Sequence, residues 1–230
     1  MKTVHQEAHF RGNRKMKVKG KVSLFAGLML KRIRLLLLLL FILSGSSSAQ
    51  QMLETAQMSI PEELQVPIFL KILTYDRSLE ARVKDTINIG ILHFPDNEQS
   101  KKNKETIIEN LKLNKDRTVS GRPFSFTEIE FSNEKNLDEV AREKRIHVLY
   151  VTSAGSNMLS SISLITQAKK ILSITGREDY VSQGVSVGLG VKDEKPQIVI
   201  NLRSARAEGC DFSANLLRLC KVIDQGSPSS

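Results

Sequence analysis

The sequence predicts an α/β domain: a single, mostly parallel, doubly wound sheet with an antiparallel hairpin and a closing helix at its C-terminal end. Three observations predict it. From Thr86 to Ile174, extended apolar stretches alternate with stretches of helical period, the order of strands joined by crossover helices. The run Ile146–Val151 is almost continuously apolar, as a central strand covered on both faces must be. The last two extended stretches are separated only by Asp193-Glu194-Lys195-Pro196, which is too short for a helical crossover and suits a hairpin.

Each element has a local reason. Pro61-Glu62-Glu63 opens a helix, and Leu64, Ile68, Phe69, Ile72 and Leu73 recur at helical spacing, burying one face through about Ser78. In Thr86–Phe94 the residues Ile87, Ile89 and Ile91 alternate, and Pro95-Asp96-Asn97 ends the strand. Asn103–Leu113 is a charged helix with Ile107, Ile108 and Leu111 inward. Phe124–Phe131 is a strand of imperfect alternation, and Leu137–Lys144 a short helix with Leu137, Val140 and Ala141 inward. Ser156–Lys169 is a helix carrying Leu159, Ile162 and Ile165, followed by a short buried strand at Ile171–Ile174. Gly184–Val191 and Gln197–Leu202 form the hairpin, and Ser213–Ile223 a closing helix with Leu216, Leu217, Cys220 and Ile223 on its inner face. Nothing divides 61–224, so this is one domain, followed by a disordered tail at 225–230.

The N-terminal leader is a processing signal. Lys31-Arg32-Ile33-Arg34 supplies a positive region, Leu35–Leu43 an apolar one, and Ser44–Ala49 a run of small residues, which together read as a signal peptide at 29–49, cleaved after Ala49. At 1.5 Å per residue the apolar run covers about 14 Å, roughly half a bilayer core, so it does not anchor the chain. Residues 1–28 are an over-called start or an extended leader, since Met29 would open a signal of ordinary length; 50–60 is a linker. Of the 34 basic residues ten lie before Gln50, with one acid, Glu7; the remainder carries 24 basic and 24 acidic side chains. The expectation is therefore no basic patch and no nucleic-acid partner.

Metal-protease and phosphate-binding motifs are missing. The chain has no His-Glu-x-x-His and no phosphate-cradling loop, and Gly188-Leu189-Gly190-Val191 breaks the dinucleotide fingerprint inside a strand. His93 and His147 fall in or beside predicted strands without a second ligand at metal spacing, so they read as satisfied strand histidines, with no metal and no cofactor.

The C-terminal half resembles the YfiR family. The resemblance is carried by Lys170-Ile-Leu-Ser-Ile-Thr-Gly176, Tyr180-Val181 and Gly184, Ile198-Val-Ile-Asn201-Leu, Ser204-Ala205-Arg206-Ala-Glu-Gly209, and Phe212-Ser213 with Leu216-Leu217-Arg-Leu219. Within this motif Gly176, Gly184, Asn201, Ala205, Arg206, Gly209, Leu216 and Leu217 read as structural. Two departures stand out: Leu73-Thr-Tyr75-Asp76-Arg77 replaces an aromatic-rich segment, and Gly184-Val185 a glycine pair. The resemblance implies a periplasmic, non-enzymatic α/β protein that represses a membrane-bound diguanylate cyclase. Its partner would be a membrane-bound sensor protein, a cyclase or a sensor kinase. The alternative is a periplasmic small-ligand-binding sensor, and a homodimer is left open.

Fold analogy places the contact surface at the C-terminal ends of the strands. The loop Val151–Asn157, where Ser156 reads first as a helix cap, and the segment after Ile174 supply Ser153, Ser156, Arg177, Asp179 and Tyr180 as binding candidates. Cys210 and Cys220 are ten residues apart and could be bridged in an exported chain; core thiols are the preferred reading.

Overall fold

The computed structural model describes residues 60–224. The signal peptide, the residues ahead of it, nearly all of the 50–60 linker and the 225–230 tail lie outside the described residues. Ile60, placed in the linker from sequence, is 2% exposed and belongs to the core.

The elements follow in order as α1 (Glu62–Leu73), α2 (Leu79–Arg82), β1 (Ile87–His93), α3 (Glu98–Leu113), β2 (Phe124–Glu130), α4 (Glu134–Glu143), β3 (Val148–Val151), α5 (Ser156–Lys169) and β4 (Leu172–Ile174). A 3-10 turn (Val181–Gln183), β5 (Val187–Lys192), β6 (Lys195–Asn201), α6 (Leu202–Ala207), α7 (Ala214–Leu217) and β7 (Lys221–Ile223) complete the chain. One seven-stranded sheet runs β2-β1-β3-β4-β5-β6-β7. Pairing is parallel throughout except between β5 and β6, so the doubly wound expectation holds.

The period-2 alternation seen in sequence sorts the strands onto two faces. Ile87, Ile89, Ile91, Val148, Tyr150, Leu172 and Ile174 pack with α1 and α3 on one face. Leu92, Leu149 and Val151 pack with Leu137 and Ala141 of α4 and Leu159 and Ile162 of α5 on the other. Along one row Ile91 faces Tyr150, Tyr150 faces Ile174, and Ile174 faces Val187. So β5 begins where β4 ends, and the β5–β6 hairpin projects past the C-terminal ends of the parallel strands.

Four boundaries depart from expectation, each for a physical reason. The first helix stops at Leu73 because the Asp76 carboxylate takes the Ser78 backbone N–H and hydroxyl and the Asp211 N–H, a local competitor to helical bonding. Helix α3 starts at Glu98: Asn97 caps it, accepting from Ser100 N–H at 2.9 Å, and its polar first turn hides it from periodicity. The hairpin turn is only Asp193-Glu194, both left-handed at φ 50° and 62°, while Lys195 and Pro196 already belong to β6. The closing helix is the single turn α7; Lys221–Ile223 instead forms β7, pairing with Val199–Asn201. Those β6 backbone groups would otherwise lack partners.

Candidate functional site

In the order 2-1-3-4-5 the chain reverses its direction of building between β1 and β3, where such sheets hold ligands. Here the two strand ends are laced together. The Ser100 hydroxyl accepts from Phe94 N–H at 2.8 Å and meets Thr152 Oγ1 at 2.6 Å, while Thr152 Oγ1 donates to Leu92 O at 2.8 Å. Ser100 and Thr152 are both buried. Beside them Ser153 Oγ donates to Asn103 Oδ1 at 2.8 Å, and the Asn103 amide donates to the Glu62 carboxylate. The loop after β3 is thus tied to α3 and to the first turn of α1.

The segment after β4 lies against this loop. The Tyr180 ring is buried, and its hydroxyl bonds both the N–H and the carbonyl of Ala154, each at 2.8 Å. Arg177 is bidentate to Asp179, at 3.1 and 2.8 Å, and its guanidinium stacks over the Tyr180 ring at 4.9 Å. With the Arg177 side chain 43% exposed, this is a rigid, partly neutralised polar surface. Of the sequence candidates, Ser153 and the trio Arg177, Asp179 and Tyr180 therefore meet across two loops. Ser156 is the first residue of α5, so Gly155 and not Ser156 takes the cap position, and no side chain caps the helix.

What holds the second loop down is β5. A β carbon at Gly188 would meet Arg177 O at 2.5 Å, and one at Gly190 would collide with Glu178. The two glycines that resemble a fragment of a nucleotide fingerprint let residues 176–183 lie across the sheet where a crossover helix would otherwise sit. Glu178 in turn pairs with Lys221 at 2.5 Å.

Most residues of the family motif lie at turns, at a helix cap or in the core. Gly184 ends the 3-10 turn at φ 108°, a conformation that disfavours any β carbon. Asn201 caps α6, accepting from Ser204 N–H at 3.0 Å, and donates to Val181 O at 3.1 Å. Ala205 is fully buried and Arg206 exposed. Gly176 lies against Gln65, which accepts from the Tyr150 hydroxyl at 2.8 Å. The Gly209 carbonyl lies 2.7 Å from Ser78 Oγ. Leu216 is buried and Leu217 packs against the same core.

Sequence reasoning passed over Glu208, the acid inside this motif. It is fully buried and held by Thr166 Oγ1 at 2.7 Å, Ser173 Oγ at 2.6 Å, Ser173 N–H at 2.9 Å and the Ser186 hydroxyl. Burial pushes its carboxyl up to about 7 despite the hydrogen bonds from Ser173, Ser186 and Thr166. No helical or strand period marks such a group, because its partners come from α5, β4 and the residue before β5.

Among the described residues no cluster of three His, Cys, Asp or Glu side chains could hold a metal. His147 Nδ1 accepts from Asn88 N–H at 3.0 Å, and His93 Nε2 lies 3.2 Å from Glu128. Cys210 and Cys220 are free thiols; burial raises both above the ordinary thiol value. Cys210 takes a contact from Arg82 at 3.3 Å.

A sequence model of the family described as YfiR/HmsC-like matches residues 68–221. No curated protein matches the chain. Solved structures share its fold at low identity. One is the ligand-free, open structure of a substrate-binding protein with adhesive properties from Clostridium difficile, 15% identical with a TM-score of 0.51, covering 65% of this chain and 58% of that one. Another is a conserved domain protein from Vibrio cholerae, 13% identical with a TM-score of 0.50, covering 72% of this chain and 60% of that one. The chain therefore spans about three-fifths of the length of each, and the likeness concerns the fold alone.

Proposed function

The chain belongs to the YfiR/HmsC-like family, and on that premise we propose that it is a periplasmic, non-enzymatic regulator that binds a membrane-anchored signalling protein and represses cyclic-di-GMP synthesis. The family match carries this reading. The geometry supports it in two ways. The crevice between β1 and β3 is laced by the protein's own hydroxyls, Ser100 and Thr152, which leaves little for a small ligand to replace. The adjoining surface of Ser153, Arg177 and Asp179 stands on two loops clamped by Tyr180, and loops fixed on a rigid α/β scaffold commonly carry binding residues.

In this reading the leader directs export and is removed after Ala49, and the partner contacts the surface at Arg177. The test is capture of the partner by cross-linking in the native envelope. A membrane-anchored cyclase or sensor kinase recovered with the wild-type protein, and depleted with Arg177→Glu, supports the proposal. Recovery of no membrane protein rejects it.

A further inference from the structure

The 24 basic and 24 acidic side chains that follow Ala49 balance only in total, because the fold sorts them. Helices α3, α4 and α5 all end, and strands β1 to β4 all begin, at one edge of the sheet, and helix C-termini favour cations. Lys84 precedes β1, Lys115 and Arg117 follow α3, Lys144 and Arg145 follow α4, and Lys170 follows α5; all six are exposed and none forms an ion pair among the described residues. Backbone ties fix these segments side by side. Arg122 donates to Lys84 O at 3.3 Å, Asn88 to Lys144 O and Arg145 O at 3.1 Å each, and Arg82 to Lys170 O at 3.3 Å. The exposed acids of the same segments are Asp85, Asp116 and Glu143. At the opposite edge the helix starts carry Glu62, Glu98 and Glu134. Against the expectation of no basic patch, these segments carry six exposed cations, unpaired among the described residues, and three exposed acids.

We propose that this N-terminal edge of the sheet is a docking face for the anionic phospholipid headgroups of the membrane that holds the partner. The inference rests on the reading of the protein as exported to act at that membrane. Lipid fits better than an acidic polypeptide because the edge is a spread of separate cations with one large apolar side chain among them. Leu113, on the last turn of α3 beside Lys112 and Lys115, is 75% exposed, and an apolar tip within cations matches the boundary between headgroups and acyl chains.

The probe is a vesicle of phosphatidylethanolamine with one quarter phosphatidylglycerol, sedimented with the protein purified from the envelope. Binding is expected at low salt, its loss at high salt as screening shortens, and no binding to neutral phosphatidylcholine vesicles. Each basic residue near an anionic bilayer strengthens binding about fivefold. Lys144→Glu/Arg145→Glu and, independently, Lys115→Glu/Arg117→Glu therefore each weaken binding by more than about twentyfold. The two pairs sit on separate segments, so loss of folding in one leaves the other as the test. Equal sedimentation with neutral vesicles, no sedimentation with anionic ones, or full binding by a folded double variant overturns the inference, as does cross-linking of this edge to an acidic protein without vesicle affinity. Raised cyclic-di-GMP on gene deletion without vesicle binding removes this inference and leaves the proposed function; vesicle binding with unchanged cyclic-di-GMP does the reverse.

Discussion

One hydroxyl joins the two loops of the candidate surface: Tyr180 donates to Ala154 O and accepts from Ala154 N–H, at 2.8 Å in both directions. Tyr180→Phe removes both bonds and leaves the ring packing intact. Ala154 is half-buried, so water restores part of the loss, and the expected cost is about 1–2 kcal/mol. For a domain of this size that lowers Tm by roughly 2–8 °C. An unchanged melting curve would mean that the bond holds nothing in place.

Glu208 makes stability depend on pH in a direction opposite to that of an ordinary surface acid. Its folded-state value of about 7 lies above the unfolded 4.5, so the native state holds the proton more tightly. The contribution is full below about 4.5 and is lost as the pH rises through about 7, at most roughly 3 kcal/mol in all. His93 and His147 pull the other way. Burial first, then Lys104 and Arg82 respectively, lower them below 6.5, so their contribution is lost as the pH falls. The difference between the wild type and Glu208→Gln isolates the acid. In urea unfolding at acid and mildly alkaline pH, the variant should gain on the wild type as the pH rises; parallel curves would show that the carboxyl titrates in the folded protein as it does in the unfolded chain.

Gly188→Ala sets a β carbon 2.5 Å from Arg177 O, a contact with backbone that cannot relax by rotating a side chain. Residues 176–183 must lift, with an expected cost of about 1–3 kcal/mol and lost partner capture, because Arg177 and Tyr180 move together. Arg177→Glu should lose capture with Tm unchanged, since an exposed loop charge contributes little to stability. If Gly188→Ala melts and captures like the wild type, the loop does not rest on β5.

Much of this architecture is legible along the chain because it rests on short-range patterns. The alternation of Ile87, Ile89 and Ile91, the continuous run of β3 and the helical spacing of Leu159, Ile162 and Ile165 each report a buried face directly. The parts that depend on partners far away in sequence are not legible. β7 exists because Val199–Asn201 offers an open edge, and the closed crevice needs Ser100 and Thr152 to meet from different elements. Two signals were present and misdirected. Gly188 and Gly190 report a close approach of backbone, and Asp96-Asn97, which ends β1, also starts α3. In the candidate surface the choice of loops followed from topology, but the Tyr180 clamp and the Arg177–Asp179 pair follow from a connection that no periodicity marks.

The central claim is repression, and cyclic-di-GMP measured in a strain lacking the gene tests it most directly. The account predicts that cyclic-di-GMP rises on deletion, returns to its basal level with the wild-type gene, and stays high with Arg177→Glu. Unchanged or lowered cyclic-di-GMP on deletion would contradict it.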